Sequence, residues 1–262
     1  MYIKNAVSKS GERVKRLLIY AHRSLRVFLL ATCLAGMAQA TEPVYLNTED
    51  GAQRLMHADL SSPYFMMGPY IDTQENGGFC GPASMVGALN SLPEISRPMA
   101  SQYAPYRYFT QRNLFNTESS KVKSYAAVAR SGFTLQQASD FLFKLGIQNQ
   151  IYWGSNLTED LLRNLIIDTL RHPEQRAIAD FNRSTFHQEG AGHYSPIGSY
   201  DKATDSVLIL DVAKFKYPPF WVTVADLLRS LQTVDSDSGR SRGLIVITGA
   251  NQSTTSVRTL TR

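Results

Sequence analysis

Cysteine is almost missing from this chain: 262 residues hold only Cys33 and Cys80. So few thiols exclude a disulfide framework and make a poor soft-metal cage, which recruits several thiolates. His57, His172 and His187 lack ligand spacing such as two histidines four residues apart with a carboxylate, so no metal-ligating set is expected. Internal repeats and low-complexity linkers are also lacking. The net charge of +5 suggests a nucleic-acid partner until it is located. Residues 1–40 carry seven of the 27 Lys/Arg and one of the 22 Asp/Glu, leaving 20 bases against 21 acids elsewhere. The body therefore has no basic footprint, which argues against nucleic acid.

What is present first is a leader. A basic stretch ends at Arg26, and the apolar run Val27–Met37 follows. Ala38-Gln39-Ala40 then puts small residues where a signal peptidase needs them. The run is shorter than the about 20 residues of a comfortable membrane-spanning helix. We expect residues 1–40 to be a signal peptide cleaved near Ala40, and the product to be periplasmic or secreted with no stable membrane span. The alternatives are an uncleaved amphipathic anchor, lipidation at Cys33, or a start downstream of Met1. Cleavage would leave Cys80 as the lone thiol. A nucleophile is one explanation for such a residue in a secreted chain, and a buried, inert cysteine is the other.

The composition, 43% hydrophobic, suffices for one folded domain, expected over residues 41–250, with 251–262 a flexible tail. Patterning predicts a helix from Cys80 or Gly81 to about Leu92, with Pro82 in its first turn and Met85, Val86, Leu89 and Leu92 on one face. A second opens at Thr134, with Gln137 completing a capping box, and ends at Gly146. Others run from Thr158 to Arg171 and from near Thr223. Strand-type runs cover Ala177–Phe181, His193–Tyr200, Val207–Val212 and Gly243–Thr248, the middle pair joined by the polar turn 201–206. Helices first, then a mostly antiparallel sheet, predict an α+β fold with a cleft where the halves meet.

Three segments bear on chemistry. The first is Gln74-Glu75-Asn76-Gly77-Gly78-Phe79-Cys80-Gly81-Pro82-Ala83. A thiol at a helix N-terminus or beside a cationic histidine drops from about 8.5 to roughly 3.5–7.5 in pKa. Gln74 is able to aim its amide at a developing oxyanion, with the Cys80 backbone N–H as second donor. The second is Gly190-Ala191-Gly192-His193, a histidine opening a strand. The third is Leu208-Ile209-Leu210-Asp211, an acid closing one. In a hairpin the start of one strand faces the end of its partner, so His193 and Asp211 should meet and serve Cys80 as base and orienter. Each piece alone is weak, since strand histidines are commonly structural and terminal acids form turns.

These segments resemble phytochelatin synthase, in its short bacterial form. The match extends through Ser84 and Met85 in the first segment, and covers Gly190–Gly198 and Leu210-Asp211-Val212-Ala213-Lys214-Phe215-Lys216-Tyr217-Pro218-Pro219-Phe220-Trp221. The last is the most specific, and weaker similarity runs from Tyr64 to Ile247. The resemblance implies a papain-like fold. It also implies a reaction in which the cysteine attacks the Cys–Gly carbonyl of glutathione, glycine leaves, and the γ-glutamylcysteinyl thioester passes to glutathione or to water. It implies Cys80 as nucleophile, His193 as base and acid, Asp211 as orienter and Gln74 as oxyanion donor. It further suggests Arg242, Asn182 and Gly192 as lining the acyl pocket. No cofactor is required; Cd²⁺ or Zn²⁺ would enter as a glutathione thiolate complex or as an activator. Eukaryotic members carry a long cysteine-rich C-terminal region, whereas this chain stops soon after its last strand run, which favours hydrolysis over chain elongation. A papain-like peptidase acting on ordinary peptides and a thiol-binding metal protein are the competing readings. Oligomeric state has no signature, and a homodimer stays open.

Overall fold

A computed structural model describes residues 41–250. The expected leader with Cys33, and the tail 251–262, lie outside them. The described residues fall within one compact unit. The elements are β1 (Val44–Tyr45), α1 (Glu49–His57), α2 (Ser62–Met67), α3 (Cys80–Asn90), α4 (Tyr125–Ser131), α5 (Leu135–Lys144), β2 (Ile147–Trp153), α6 (Glu159–Arg171), β3 (Arg176–Asn182), β4 (Gly192–Asp201), β5 (Ser206–Ile209), β6 (Phe220–Thr223), α7 (Val224–Leu231) and β7 (Gly243–Ala250). No helix among the described residues is long and apolar enough to cross a membrane.

The architecture is α+β. One seven-stranded sheet has the order β1-β6-β5-β4-β3-β7-β2, and every neighbouring pair is antiparallel. Both faces are covered, so the central strands are buried throughout rather than alternating. In β3, Ile178 packs toward α3 and α5, while Ala177, Ala179 and Phe181 join the layer of α6 and α7. Asp180 has the same parity as Ile178 and so belongs to the α3 side, two residues further along the strand. Four threonines start helices: Thr48, Thr134, Thr158 and Thr223 each accept the backbone N–H three residues on. Such caps contribute about 1 kcal/mol apiece. The capping box of Thr134 and Gln137 is closed from both sides.

The structure revises several sequence expectations. Helices and strands are not cleanly segregated: β1 precedes every helix, and the expected helices α6 and α7 stand among the strands of the back half. The helix at Cys80 is buried on every side, not on one apolar face. Its small residues Gly81, Ala83, Ser84, Gly87 and Ala88 let neighbours close over the surface that periodicity assigns to solvent. The strand expected over Val207–Val212 stops at Ile209 as β5, so Asp211 lies in the connection beyond it.

At its far end α3 is held by Arg176 of β3, a fully buried guanidinium. Its Nε donates to Ser91 Oγ at 2.7 Å and its Nη2 to the Ser91 carbonyl at 3.0 Å. Burial pushes this group down to about 10, and the negative end of the helix dipole offsets part of that burden. Cys80 stands at the opposite end of the same helix.

Candidate active site

Unlike the four threonine-capped helices, α3 opens at Phe79 with no side-chain cap, so its first turn presents backbone N–H groups to whatever lies in front of it. Cys80 is the first residue of that turn and is 7% exposed. The glycines before it permit close packing: a Cβ on Gly78 would lie 2.1 Å from the Val128 carbonyl oxygen in α4. His193 is the second residue of β4, its ring edge-on to Phe181 with centroids 5.5 Å apart. Its Nε2 lies 3.0 Å from Asp211 Oδ1, which leaves Nδ1 for the Cys80 sulfur, near enough for ring and thiol to shift each other's titration.

The electrostatics follow from these contacts. Burial opposes ionisation of Cys80, but the His193 hydrogen bond and charge and the Tyr194 backbone N–H outweigh it and hold the thiol below its usual value. Burial likewise favours neutral His193, yet its bonds to Asp211 and Cys80 raise it above the usual imidazole value. Burial also penalises the Asp211 carboxylate. The His193 bond, the charges of His193 and Arg183 and the Ala213 N–H at 2.8 Å reverse that and lower it. All three shifts favour a thiolate–imidazolium pair backed by a carboxylate, which is an activated nucleophile.

Cys80 lies in the wall of a cavity of about 370 Å³. Gly77, Gly78 and residues 129–133 form one side; Asp180, Gly192 and Tyr194 of the sheet form the other, with residues 235–237 and Arg242. Among the described residues no group of three or more His, Cys, Asp or Glu is arranged to hold a metal ion.

Residues 37–244 match the family described as phytochelatin synthase. The chain belongs to the phytochelatin synthase family. It is 31% identical over 184 residues to glutathione gamma-glutamylcysteinyltransferase 1 of Arabidopsis thaliana, an alignment covering 70% of this chain and 36% of that protein. The wheat (Triticum aestivum) protein of the same name is 33% identical over 186 residues, covering 70% of this chain and 35% of that one. Glutathione gamma-glutamylcysteinyltransferase of Schizosaccharomyces pombe is 26% identical over 215 residues, covering 82% and 49%. The chain thus spans between about a third and a half of the length of these relatives.

Of the other residues suggested by the resemblance to this family, Gly192 and Arg242 line the cavity and depend on each other. A Cβ on Gly192 would lie 2.3 Å from Arg242 Nη1, so only glycine leaves room for the guanidinium. Gln74 is buried, donates Nε2 to the Asn76 carbonyl at 2.6 Å and leaves Oε1 without a partner. It is not among the residues lining the cavity. Asn182 pairs across the sheet with Gly192 but is not among the residues lining the cavity. Its Oδ1 accepts from the Ser184 N–H at 3.1 Å and its hydroxyl at 2.9 Å, capping the turn after β3. An asparagine ending a strand forms such an Asx cap readily.

Two residues escaped the sequence reading. Arg183 is 4% exposed, and its Nη2 lies 2.8 Å from both Asp211 oxygens while Nη1 donates to Gln188 Oε1 at 2.7 Å. Its guanidinium sits over the Tyr217 ring at 5.0 Å, a cation–π placement. No local signal separates this arginine from a turn residue. Asp180 had a signal: it interrupts the apolar run Ala177–Phe181 just as Asp211 follows one. The structure puts it in the cavity wall, with Oδ1 accepting from Arg242 Nη1 at 3.1 Å.

Proposed function

We propose that this chain is a papain-like acyl-transfer enzyme acting on glutathione, with Cys80, His193 and Asp211 as its catalytic residues and the cavity in front of Cys80 as its acyl-donor cleft. The observation that carries the reading is the line of three side chains, sulfur to imidazole to buried carboxylate, ending in a polar cavity at an uncapped helix start. Relatives bearing the name of this transferase support glutathione as the donor.

The Cys80 thiolate attacks the carbonyl of the Cys–Gly bond. The oxyanion that forms takes hydrogen bonds from the first N–H groups of α3 and from the free amide N–H of Gln74; loss of one such donor costs about 100- to 1000-fold in rate. The His193 imidazolium gives its proton to the departing glycine nitrogen, and a γ-glutamylcysteinyl thioester remains on sulfur. His193, now neutral, takes a proton from water or from the amine of a second glutathione as that group attacks the thioester. The thiolate returns as leaving group and the proton stays on the imidazole, restoring the pair. Water yields γ-glutamylcysteine; glutathione yields phytochelatin. Arg242 holds a donor carboxylate. Cd²⁺ or Zn²⁺ enters as a glutathione thiolate complex, hence as substrate. The leader directs the chain to the periplasm or outside the cell.

Incubation of the protein with glutathione, with and without Cd²⁺, tests this by mass spectrometry of the products. Glycine release that requires Cys80 is the expected result, and oligomers or γ-glutamylcysteine alone distinguish the acceptors. Equal release by Cys80→Ser would remove the proposal.

A further inference from the structure

The cavity contains a carboxylate that acyl transfer does not use. Asp180 is 1% exposed, and Arg242, itself 8% exposed, meets it through Nη1 at 3.1 Å. On the other side Arg242 Nη2 lies 3.8 Å from Asp235 Oδ1, and its Nε is buried without a partner. A guanidinium grips a carboxylate best with two parallel N–H groups, and Asp180 occupies one of them. The titratable groups facing Asp180 come from three further elements: Arg242 and Asp235 from the segment between α7 and β7, Tyr194 from β4, and Cys80 from α3. The Tyr194 hydroxyl lies beside Asp180 but closes no hydrogen bond of good geometry. An ionised Asp180 thus shares its surroundings with a second carboxylate and a thiolate.

We propose that Asp180 is a specificity-determining residue of this cavity: its carboxylate competes with the carboxylate of an incoming acyl donor for Arg242, and the donor binds as Asp180 takes up a proton. The proposal rests on the reading of Arg242 as the donor's carboxylate site. Burial pushes Asp180 up to about 7, against the pull of Arg242. Below that pH Asp180 is neutral and Arg242 is released to the donor. Above it the carboxylate holds Arg242 and repels a second anion. Affinity for anionic donors therefore falls as pH rises through that range.

Alkylation of Cys80 by iodoacetate and by iodoacetamide tests this in the intact protein. Both reagents report the same thiolate, so the thiolate fraction cancels in the ratio of their rates; loss of the His193 charge lowers the ratio in the wild type and in Asp180→Asn alike, so the difference between the two proteins isolates Asp180. The ratio, iodoacetate over iodoacetamide, should fall about tenfold between roughly pH 6 and pH 8.5, the effect of one charge at close range in partly solvated protein. In Asp180→Asn the ratio should be higher near neutral pH and keep only the fall that loss of the His193 charge causes, and KM for glutathione should fall and depend less on pH while kcat changes less. A wild-type ratio that is flat, or that matches Asp180→Asn at every pH, overturns the proposal. The expected difference between wild type and Asp180→Asn without glutathione turnover would sink the glutathione reading and uphold the competition at Arg242. Turnover with a flat ratio would do the reverse.

Discussion

Replacement of Arg183 by methionine probes the support behind the triad without touching the sulfur or the imidazole. The guanidinium is 4% exposed and Asp211 is fully buried, with Arg183 Nη2 at 2.8 Å from both carboxylate oxygens. Breaking a buried pair from one side leaves an uncompensated charge and costs about 3–5 kcal/mol. For a chain of this size each kcal/mol moves Tm by about 2–4 °C, so Tm should drop by roughly 6–20 °C. The sign of its pH dependence follows from Asp211, whose folded pKa is lowered in part by the Arg183 charge. A depressed carboxylate contributes stability above its unfolded value, near 3.9, and loses it as pH falls through the folded value. The Tm difference between wild type and variant should therefore be full at about pH 6 and shrink below about pH 4. Calorimetric scans across that range make the check. A difference under about 2 °C, or one that stays constant down to about pH 3, would refute the assignment of Arg183 as the counter-charge of Asp211.

Four further outcomes follow from the structure. The pH profile of kcat/KM should be a bell whose acid limb lies below the ordinary thiol value and whose alkaline limb lies above the ordinary imidazole value, both belonging to the Cys80–His193 pair; stopped assays over about pH 4–10 read it. Asp211→Asn should narrow the bell from its alkaline side and lower kcat by about 100-fold or more, whereas Cys80 alkylation at high pH persists. Gly192→Ala should displace the Arg242 guanidinium, 2.3 Å from the new Cβ, and raise KM for glutathione more than it lowers kcat. Thr134→Ala should cost about 1 kcal/mol in urea unfolding at unchanged activity, and Gln137→Ala should add little to it, because one capping box is lost in both.

The parts of the fold that the sequence discloses are those governed by local chemistry. Thr134, Thr158 and Thr223 mark helix starts because a hydroxyl three residues before a free N–H is a short-range bond. Cys80 marks another through Pro82. The strand β2, Ile147-Gln148-Asn149-Gln150-Ile151-Tyr152-Trp153, escapes because it is an edge strand: its polar middle residues never needed burial, so no clean alternation is written into them. The site divides in the same way. Cys80, His193 and Asp211 stand at the ends of recognisable elements. Arg183 and Asp180 matter through partners 28 and 62 residues away, which only the folded sheet brings near. The Asn182 side-chain oxygen is engaged locally by the turn it caps.

The central claim is that the Cys80 sulfur carries an acyl group taken from glutathione. Rapid mixing of protein and glutathione, an acid quench and peptide mass mapping test it most directly. The account predicts one γ-glutamylcysteinyl group on the peptide containing Cys80, labile to hydroxylamine as a thioester is, and none on Cys80→Ala. Glycine release with no adduct on that peptide at any mixing time, or an adduct that survives hydroxylamine, would contradict it.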